Sequence, residues 1–375
     1  MEAELNFLDE SLFFNTSSFK QSIRANQGSI VLYGAGSLGK QILASLNGLK
    51  IKPIAFFDDT IGDEIGFVDD IPIYTPQAGL EKLGDKIMVI VCICNAKHRY
   101  TNTKKRFSSI GFKTVHSFAD LIKAFPDVFG AYYVFDSNEV LLKHKEEINF
   151  AYSALEDKAS KDTFISHLNF RLSNNFDYLP LPEKNIYLPT VIQNKISIDT
   201  HFIDCGAFVG DTLNLFENHY AVRFNKITAF EPDHKNFIRL TETIKKQQSY
   251  IGRDIAIYNY AIGGIRGEML FSQTGTEGSA ISTSGEIKVQ VRSLEDYVCD
   301  SNTYIKFDIE GTEVDAIMGA NNCLKKYKPI MAVSAYHKPS DLWIIPLLLK
   351  EIYPNYRLSL FTEGEDGMGL VSYAY

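Results

Sequence analysis

The hydrophobic and polar positions repeat one local pattern, about half a chain apart: a short apolar run, a glycine turn, then apolar residues at helical spacing. The first copy reads Ser29-Ile30-Val31-Leu32-Tyr33, then Gly34-Ala35-Gly36-Ser37-Leu38-Gly39, then a helix over 40–49. Strands over 53–57 and 87–94, a helix near 97–110 and a short strand near 113–116 follow it. The second copy starts at His201-Phe202-Ile203 and continues Asp204-Cys205-Gly206-Ala207-Phe208-Val209-Gly210-Asp211-Thr212 before a helix. Strands over 226–230, 255–261, 304–308 and 330–334, with two more near 356–362 and 369–375, complete it. Strands alternating with helices predict α/β units built on parallel sheets. Between the copies, Glu139 to Arg171 carries Val140, Leu141, Ile148, Tyr152, Leu155, Phe164, Leu168 and Phe170 at roughly helical intervals. Pro180, Pro182 and Pro189 then punctuate an extended stretch. At 375 residues the chain exceeds what one core usually fills, so the expected division is 1–125, a helical bridge and arm over 126–200, and 201–375.

Composition narrows the function classes. A formal net charge of −8 argues against a surface built to neutralise nucleic acid or an anionic membrane. Local basic clusters, Lys104-Lys105-Arg106 and Lys325-Lys326, read as solvated helix faces. The first 28 residues hold Glu2, Glu4, Asp9 and Glu10 and lack a basic leader followed by an apolar stretch, so no secretory signal is read. No apolar run approaches the ~20 residues a bilayer requires, and the expected location is the cytoplasm. The cysteines at 92, 94, 205, 299 and 323 lack C-x-x-C spacing, which points away from a disulfide framework or a zinc cage. Cys92 and Cys94 read as small buried thiols in a strand.

The first glycine turn has the form of a nucleotide site. Gly34 permits the tight bend, Gly36 lets backbone approach a ligand, and Gly39 lets the helix pack on the strand. Backbone N–H groups at the helix start face an anion. The next strand ends in Asp58-Asp59, about 20 residues on, where a carboxylate accepts ribose hydroxyls. A structural turn that binds nothing is the alternative. Tyr100 and Lys104 spell the Y-x-x-x-K pair of short-chain dehydrogenases, which would make the N-terminal half an NAD(P)-dependent reductase of a bifunctional enzyme. That family places the pair well over a hundred residues after its glycines; here it follows Gly39 by about 60, on an ordinary connecting helix. Residues 28–120 instead resemble the small N-terminal domain of PglD-type sugar acetyltransferases, in the glycine turn, the strand ending in Asp-Asp and the strand-helix-strand close. The resemblance implies a Rossmann-like unit with a nucleotide or nucleotide-sugar ligand and no chemistry of its own.

The second turn differs: an acid, Asp204, closes the strand and two glycines follow, which suits a ligand without a pyrophosphate. S-adenosylmethionine offers an amino acid head for the backbone at Gly206, Ala207, Gly210 and Thr212, and a ribose that needs carboxylate acceptors. Glu231 closes the next strand and takes the ribose position. Asn259 and its neighbours come toward the adenine. Asp308, Glu310 and Glu313 gather at the carboxyl edge, where open α/β folds bind ligands. These three could hold a divalent cation, cap backbone, or pair with basic groups. His337 is the preferred general base, because an imidazole is partly unprotonated near neutral pH. Asp308 comes next, as base or orienting group, with Glu310 as a further catalytic candidate. The glycine- and serine-rich run over 275–285 either closes over an acceptor or forms an inert hairpin.

Asp204 to Thr212, Glu231-Pro232, Asn259-Tyr260-Ala261, Lys306-Phe307-Asp308-Ile309-Glu310-Gly311-Thr312-Glu313, and Tyr336-His337-Lys338 with Asp341-Leu342-Trp343 resemble the successive signatures of FkbM-type methyltransferases. The likeness extends over about 160–375, since Ser160-Lys161-Asp162 through Phe170-Arg171-Leu172 is also similar. It implies a class I methyltransferase fold, a mostly parallel seven-stranded sheet with an antiparallel strand near one edge, preceded here by the smaller Rossmann-like domain. It also implies O-methylation by S-adenosylmethionine of a small-molecule or glycan acceptor, commonly a hydroxyl of a sugar or a polyketide-like compound; the resemblances of the two halves together favour a sugar or nucleotide-linked sugar in bacterial surface-glycan biosynthesis. A non-catalytic nucleotide-sensing scaffold is the contrasting reading. The pattern leaves the oligomeric state open, a homodimer included.

Overall fold

A computed structural model describes residues 10–60, 66–272, 280–281, 287–298 and 300–375. The chain forms two compact units: one of 1–146, 163–181 and 364–368, the other of 147–162, 182–363 and 369–375. The stretch 126–200, expected as one bridge, is divided between them. Its helix Lys158–Ser173 begins in the second unit and ends in the first.

In the first unit, strands β1 (Ile30–Tyr33), β2 (Ala55–Phe57), β3 (Gly66–Val68), β4 (Ile71–Tyr74), β5 (Met88–Val91) and β6 (Thr114–Ser117) make one sheet in the order β3-β4-β2-β1-β5-β6. Only β3 runs antiparallel to its neighbour. β1 and β5 are wholly buried, as expected of parallel strands covered on both faces, and this is why they read as continuous apolar runs. The hairpin β3–β4 was not foreseen. Its turn residues Asp69 and Asp70 both have positive φ, +44° and +63°, the requirement of a two-residue type I′ turn.

The second unit contains β7 (His201–Cys205), β8 (Lys226–Phe230), β9 (Asp254–Tyr258), β10 (Ala261–Ile262), β11 (Gly267–Ser272), β12 (Ala280–Ile281), β13 (Ile287–Arg292), β14 (Thr303–Phe307), β15 (Ile330–Ser334), β16 (Leu358–Thr362) and β17 (Leu370–Ala374). Seven of these form the sheet β16-β17-β15-β14-β7-β8-β9, with β17 antiparallel to both neighbours. This is the class I methyltransferase sheet. The short strands β10 to β13 form a separate four-stranded sheet that the sequence pattern did not reveal. Most of the 275–285 run lies outside the described residues. Strand order reverses between β7 and β14, and a crevice at the carboxyl ends there is where such sheets take ligands. Around β7 and β8 the core holds Phe202, Leu213, Phe216, Phe224, Ile227, Leu240 and Tyr304.

Among the described residues no helix is long and apolar enough to cross a membrane. Cys92, Cys94, Cys205 and Cys323 are free thiols, and Cys299 lies outside the described residues.

Candidate active site

The parallel register of β7 and β14 sets Asp204 directly beside Lys306. Both side chains are buried, and Lys306 Nζ donates to Asp204 Oδ1 at 3.0 Å and to the Gly206 carbonyl at 2.9 Å. The other oxygen of Asp204, Oδ2, is buried without a hydrogen-bond partner. Burial opposes the charge on Lys306, but Asp204, Asp308 and Asp211 outweigh it and raise its pKa. Burial also pushes the Asp204 carboxyl up to about 6, with Lys306 restraining the rise. At neutral pH the two form a charged pair at the switch point.

The turn after β7 is held tightly. Gly206 has φ of +87°, and a Cβ there would stand 1.9 Å from the Asp308 carbonyl oxygen, so only glycine fits. The N–H groups of Gly206 and Ala207 both donate to the Phe230 carbonyl, at 3.1 and 2.9 Å, and Gly210 N–H donates to Ala207. Gly210 caps the helix Asp211–Asn218, in which Thr212 is buried. Glu231, at the end of β8, accepts from Phe208 N–H on one oxygen at 2.9 Å and from Asp233 N–H on the other at 2.8 Å. A carboxylate has about four acceptor sites, so one on each oxygen remains for a ligand diol. Burial raises the Glu231 pKa to about 7, against the pull of those two backbone donors. Asn259 Nδ2 donates to the carbonyls of Glu231 and Pro232 at 2.8 and 3.0 Å, and its Oδ1 lies 3.2 Å from His234 Nδ1. It braces the turn that presents Glu231.

Asp308, just past β14, is surrounded by hydroxyls. Ser334 and Tyr336 donate to Oδ1 at 2.9 and 3.1 Å, and Tyr187 donates to Oδ2 at 3.0 Å. Burial would raise its pKa, but Lys306, His337 and the Ser334 and Tyr187 hydroxyls hold it below the ordinary aspartate value. His337 is the largest departure from the sequence reading. Its Nδ1 is 2.9 Å from Glu313 Oε1, and its Nε2 lies 3.5 Å from Asp308 and 3.8 Å from Glu310. Burial works against a charged ring, yet the three carboxylates push its pKa up to about 10. A pKa raised in this way favours the imidazolium, which lacks the lone pair that the base expected from sequence would use.

Of the readings open for Asp308, Glu310 and Glu313, the geometry carries pairing with a basic group and, for Glu313, capping of backbone. Their common cation is His337, and Glu313 Oε1 also accepts the Ile309 N–H at 2.8 Å. Among the described residues no group of three or more His, Cys, Asp or Glu side chains is arranged to hold a metal ion.

In the first unit Asp58 is held as Glu231 is, by an N–H of the glycine turn and the N–H two residues on. Gly34 and Gly39 do serve close packing: Gly34 has φ of +107°, and a Cβ at Gly39 would meet the Gly34 carbonyl oxygen at 1.9 Å. Gly36 caps the helix Ser37–Gly48. Asp58 and Asp59, expected at ribose hydroxyls, have other partners. Asp58 accepts from Ala35 N–H at 2.9 Å and from Thr60, while Asp59 forms a two-pronged pair with Arg106 at 2.5 Å and accepts from Tyr33 at 2.6 Å. They brace the turn and its neighbours, and Arg106 makes this pair from an exposed helix face that it shares with Lys104 and Lys105, as expected. Tyr100 is buried with its hydroxyl on the Val115 carbonyl, and Lys104 is exposed, so the Y-x-x-x-K spelling forms no proton-donating pair.

Four residues that hold this centre were not singled out from sequence: Lys306, Tyr187, Ser334 and Glu363. Lys306 carried a signal, since a lysine inside the apolar strand Tyr304-Ile305-Lys306-Phe307 must have a buried partner.

Residues 204–357 match the family described as the methyltransferase FkbM domain. The chain therefore carries an FkbM methyltransferase domain. Its matched stretch opens on Asp204 and contains Glu231, Asn259, Lys306, Asp308 and His337; Tyr187 and Glu363 lie outside it. A solved structure of methyltransferase FkbM from Methylobacillus flagellatus KT is similar over 98% of this chain and 96% of its own, with a TM-score of 0.78 and 21% identity. At that identity the likeness establishes a shared fold across nearly both full chains. A putative rRNA methylase from Clostridium thermocellum covers 52% of this chain and 97% of its own at 10% identity and a TM-score of 0.34. A SAM-dependent methyltransferase from Aquifex aeolicus covers 49% and 87% at 10% and 0.27. Both are too distant to carry an argument about the FkbM domain. No curated protein matches the chain.

Proposed function

We propose that the FkbM domain transfers a methyl group from S-adenosylmethionine to a hydroxyl of a sugar or nucleotide-linked sugar. The observation that carries the donor assignment is the pair of acids closing the adjacent strands β7 and β8 at the switch point. Asp204 keeps a buried oxygen without a partner, and Glu231 keeps acceptor capacity on both oxygens. An acidic edge of this kind fits a donor with a cationic amine, a ribose diol and a sulfonium. Asp204, Glu231 and the turn from Gly206 to Gly210 would hold it. When bound, the donor supplies a methyl group on a positively charged sulfur, which leaves with the electron pair of the broken bond as a neutral thioether.

The chain's own part is largely alignment, which can remove ~7–11 kcal/mol of a barrier. Asp308 stays ionised at neutral pH and is held by three hydroxyls, so it offers a fixed acceptor for a substrate hydroxyl and a destination for its proton. Its low basicity makes that transfer follow, rather than precede, charge loss at the oxygen. His337 holds Asp308, Glu310 and Glu313 together as a buried cation. An oxygen acceptor is supported by this arrangement, since an amine would arrive protonated and need a stronger base. A sugar is supported by the resemblance of residues 28–120 to a nucleotide-sugar-binding domain.

The test is titration calorimetry with S-adenosylmethionine, followed by measurement of S-adenosylhomocysteine release across a panel of nucleotide sugars and free glycans. Micromolar binding and release with one acceptor class are expected. Absence of binding to the donor and to its product removes the proposal.

A further inference from the structure

We infer that Tyr187 is a positioning residue for the reaction at this site, strapped in place so that its hydroxyl fixes the orientation of Asp308. The inference rests on the methyl-transfer reading above and concerns a residue outside the family-matched stretch.

Tyr187 lies between Pro182 and Pro189, in a turn closed by Leu188 N–H on the Asn185 carbonyl at 2.9 Å, and has a φ of +58°. A bulky aromatic rarely adopts this left-handed conformation, and it persists only where the surroundings over-determine it. Here they do. The backbone N–H is received by both oxygens of Glu363, at 3.1 and 3.0 Å, and the backbone carbonyl accepts from the Tyr304 hydroxyl. Glu363 is itself fixed by the Tyr373 hydroxyl. The arm is also tied to the end of β16 by Glu183 N–H on the Thr362 carbonyl at 2.7 Å.

All this places the phenol against the reacting edge. Its hydroxyl donates to Asp308 Oδ2 at 3.0 Å and lies 3.4 Å from Ser334 Oγ, and Lys306 Nζ stands 5.1 Å from its ring centre. Ser334 and Tyr336 both hold Asp308 Oδ1. Tyr187 is thus the hydroxyl that fixes Oδ2, the oxygen that also faces Lys306 Nζ at 3.9 Å. A side chain needed only to fill the core would not require a strained backbone, a buried acid on its N–H and a hydroxyl aimed at a carboxylate.

The test is Tyr187→Phe, which keeps the ring and removes only the hydroxyl. Carbon-13 NMR of labelled aspartate side chains, in the full chain without donor, should show the Asp308 titration moved to higher pH, because a hydrogen bond to its charged form is lost. Turnover should fall about tenfold with unchanged affinity for S-adenosylhomocysteine, and the acid limb of the rate profile should move up with Asp308. Glu363→Ala, which loosens the strap without touching Asp308, should slow turnover similarly, yet add nothing to Tyr187→Phe. An unchanged Asp308 titration in Tyr187→Phe, or losses that multiply in the double variant, overturn the inference. If Glu363→Ala does not fold, the Tyr187→Phe titration decides alone. Should the wild type transfer no methyl group, the functional proposal fails, while the titration still decides whether Tyr187 governs Asp308.

Discussion

Replacing Lys306 with methionine keeps most of the buried volume and removes the ammonium from a centre that has little else to replace it. Asp204 is fully buried and would lose a donor at 3.0 Å, while its second oxygen has no partner to compensate. Removing one side of a buried pair costs ~3–5 kcal/mol, because the remaining charge is left in a medium that cannot solvate it. The carboxyl can escape by taking a proton. Its pKa, already about 6 through burial, rises further once Lys306 no longer restrains it. An acid whose pKa is higher folded than unfolded penalises the fold increasingly as pH rises through that interval, since the unfolded chain releases the proton first. The deficit of Lys306→Met should therefore approach ~3–5 kcal/mol at pH 8 and be clearly smaller at pH 5. Urea unfolding followed by circular dichroism at the two pH values measures it. Adding Asp204→Asn should restore part of the loss, with a coupling of ~0.5–3 kcal/mol. A deficit below ~1 kcal/mol at pH 8, or one indifferent to pH, refutes the reasoning.

Three further outcomes are expected. Glu231→Ala should weaken S-adenosylmethionine binding roughly ten- to a hundredfold, the equivalent of ~1.5–3 kcal/mol for hydrogen bonds to a charged acceptor. Because the Glu231 pKa is raised to about 7, wild-type affinity should also climb from pH 6 to pH 8, and calorimetry showing a flat profile would contradict that role. His337, raised to about 10 from an ordinary 6.5, contributes stability that is fully present below about 6.5 and lost as pH rises through 10. Thermal unfolding of the wild type should thus fall between pH 7 and pH 10 more steeply than that of His337→Asn, and parallel slopes would argue for a neutral ring.

The buried parallel strands of the two larger sheets were legible because such strands are written as unbroken apolar runs, as in Ile30–Tyr33 and Met88–Val91. Their acidic ends were legible for the same reason: Asp204, Glu231 and Asp308 stand where an apolar run stops. The charge state of His337 was not, since it depends on Glu313 being brought beside it from another element, at the start of helix Glu313–Gly319. Nor was Tyr187, whose hydroxyl meets Asp308 across 121 residues of sequence. β10 and β12 escaped because two-residue strands such as Ala261–Ile262 carry no period to detect, whereas β13 does alternate, as Ile287-Lys288-Val289-Gln290-Val291-Arg292, and could have been read.

The antiparallel strand β17 also fixes what can be cut from this protein. The family-matched stretch ends at 357, before β16 begins, so a fragment trimmed to it would leave Met331–Ser334 of β15 as a naked ladder edge. That apolar edge, written Ile330-Met331-Ala332-Val333-Ser334, would present unpaired backbone to other copies, the ordinary beginning of aggregation. The catalytic homology and the smallest soluble piece are therefore different lengths of polypeptide, and expression trials should retain the last eighteen or so residues.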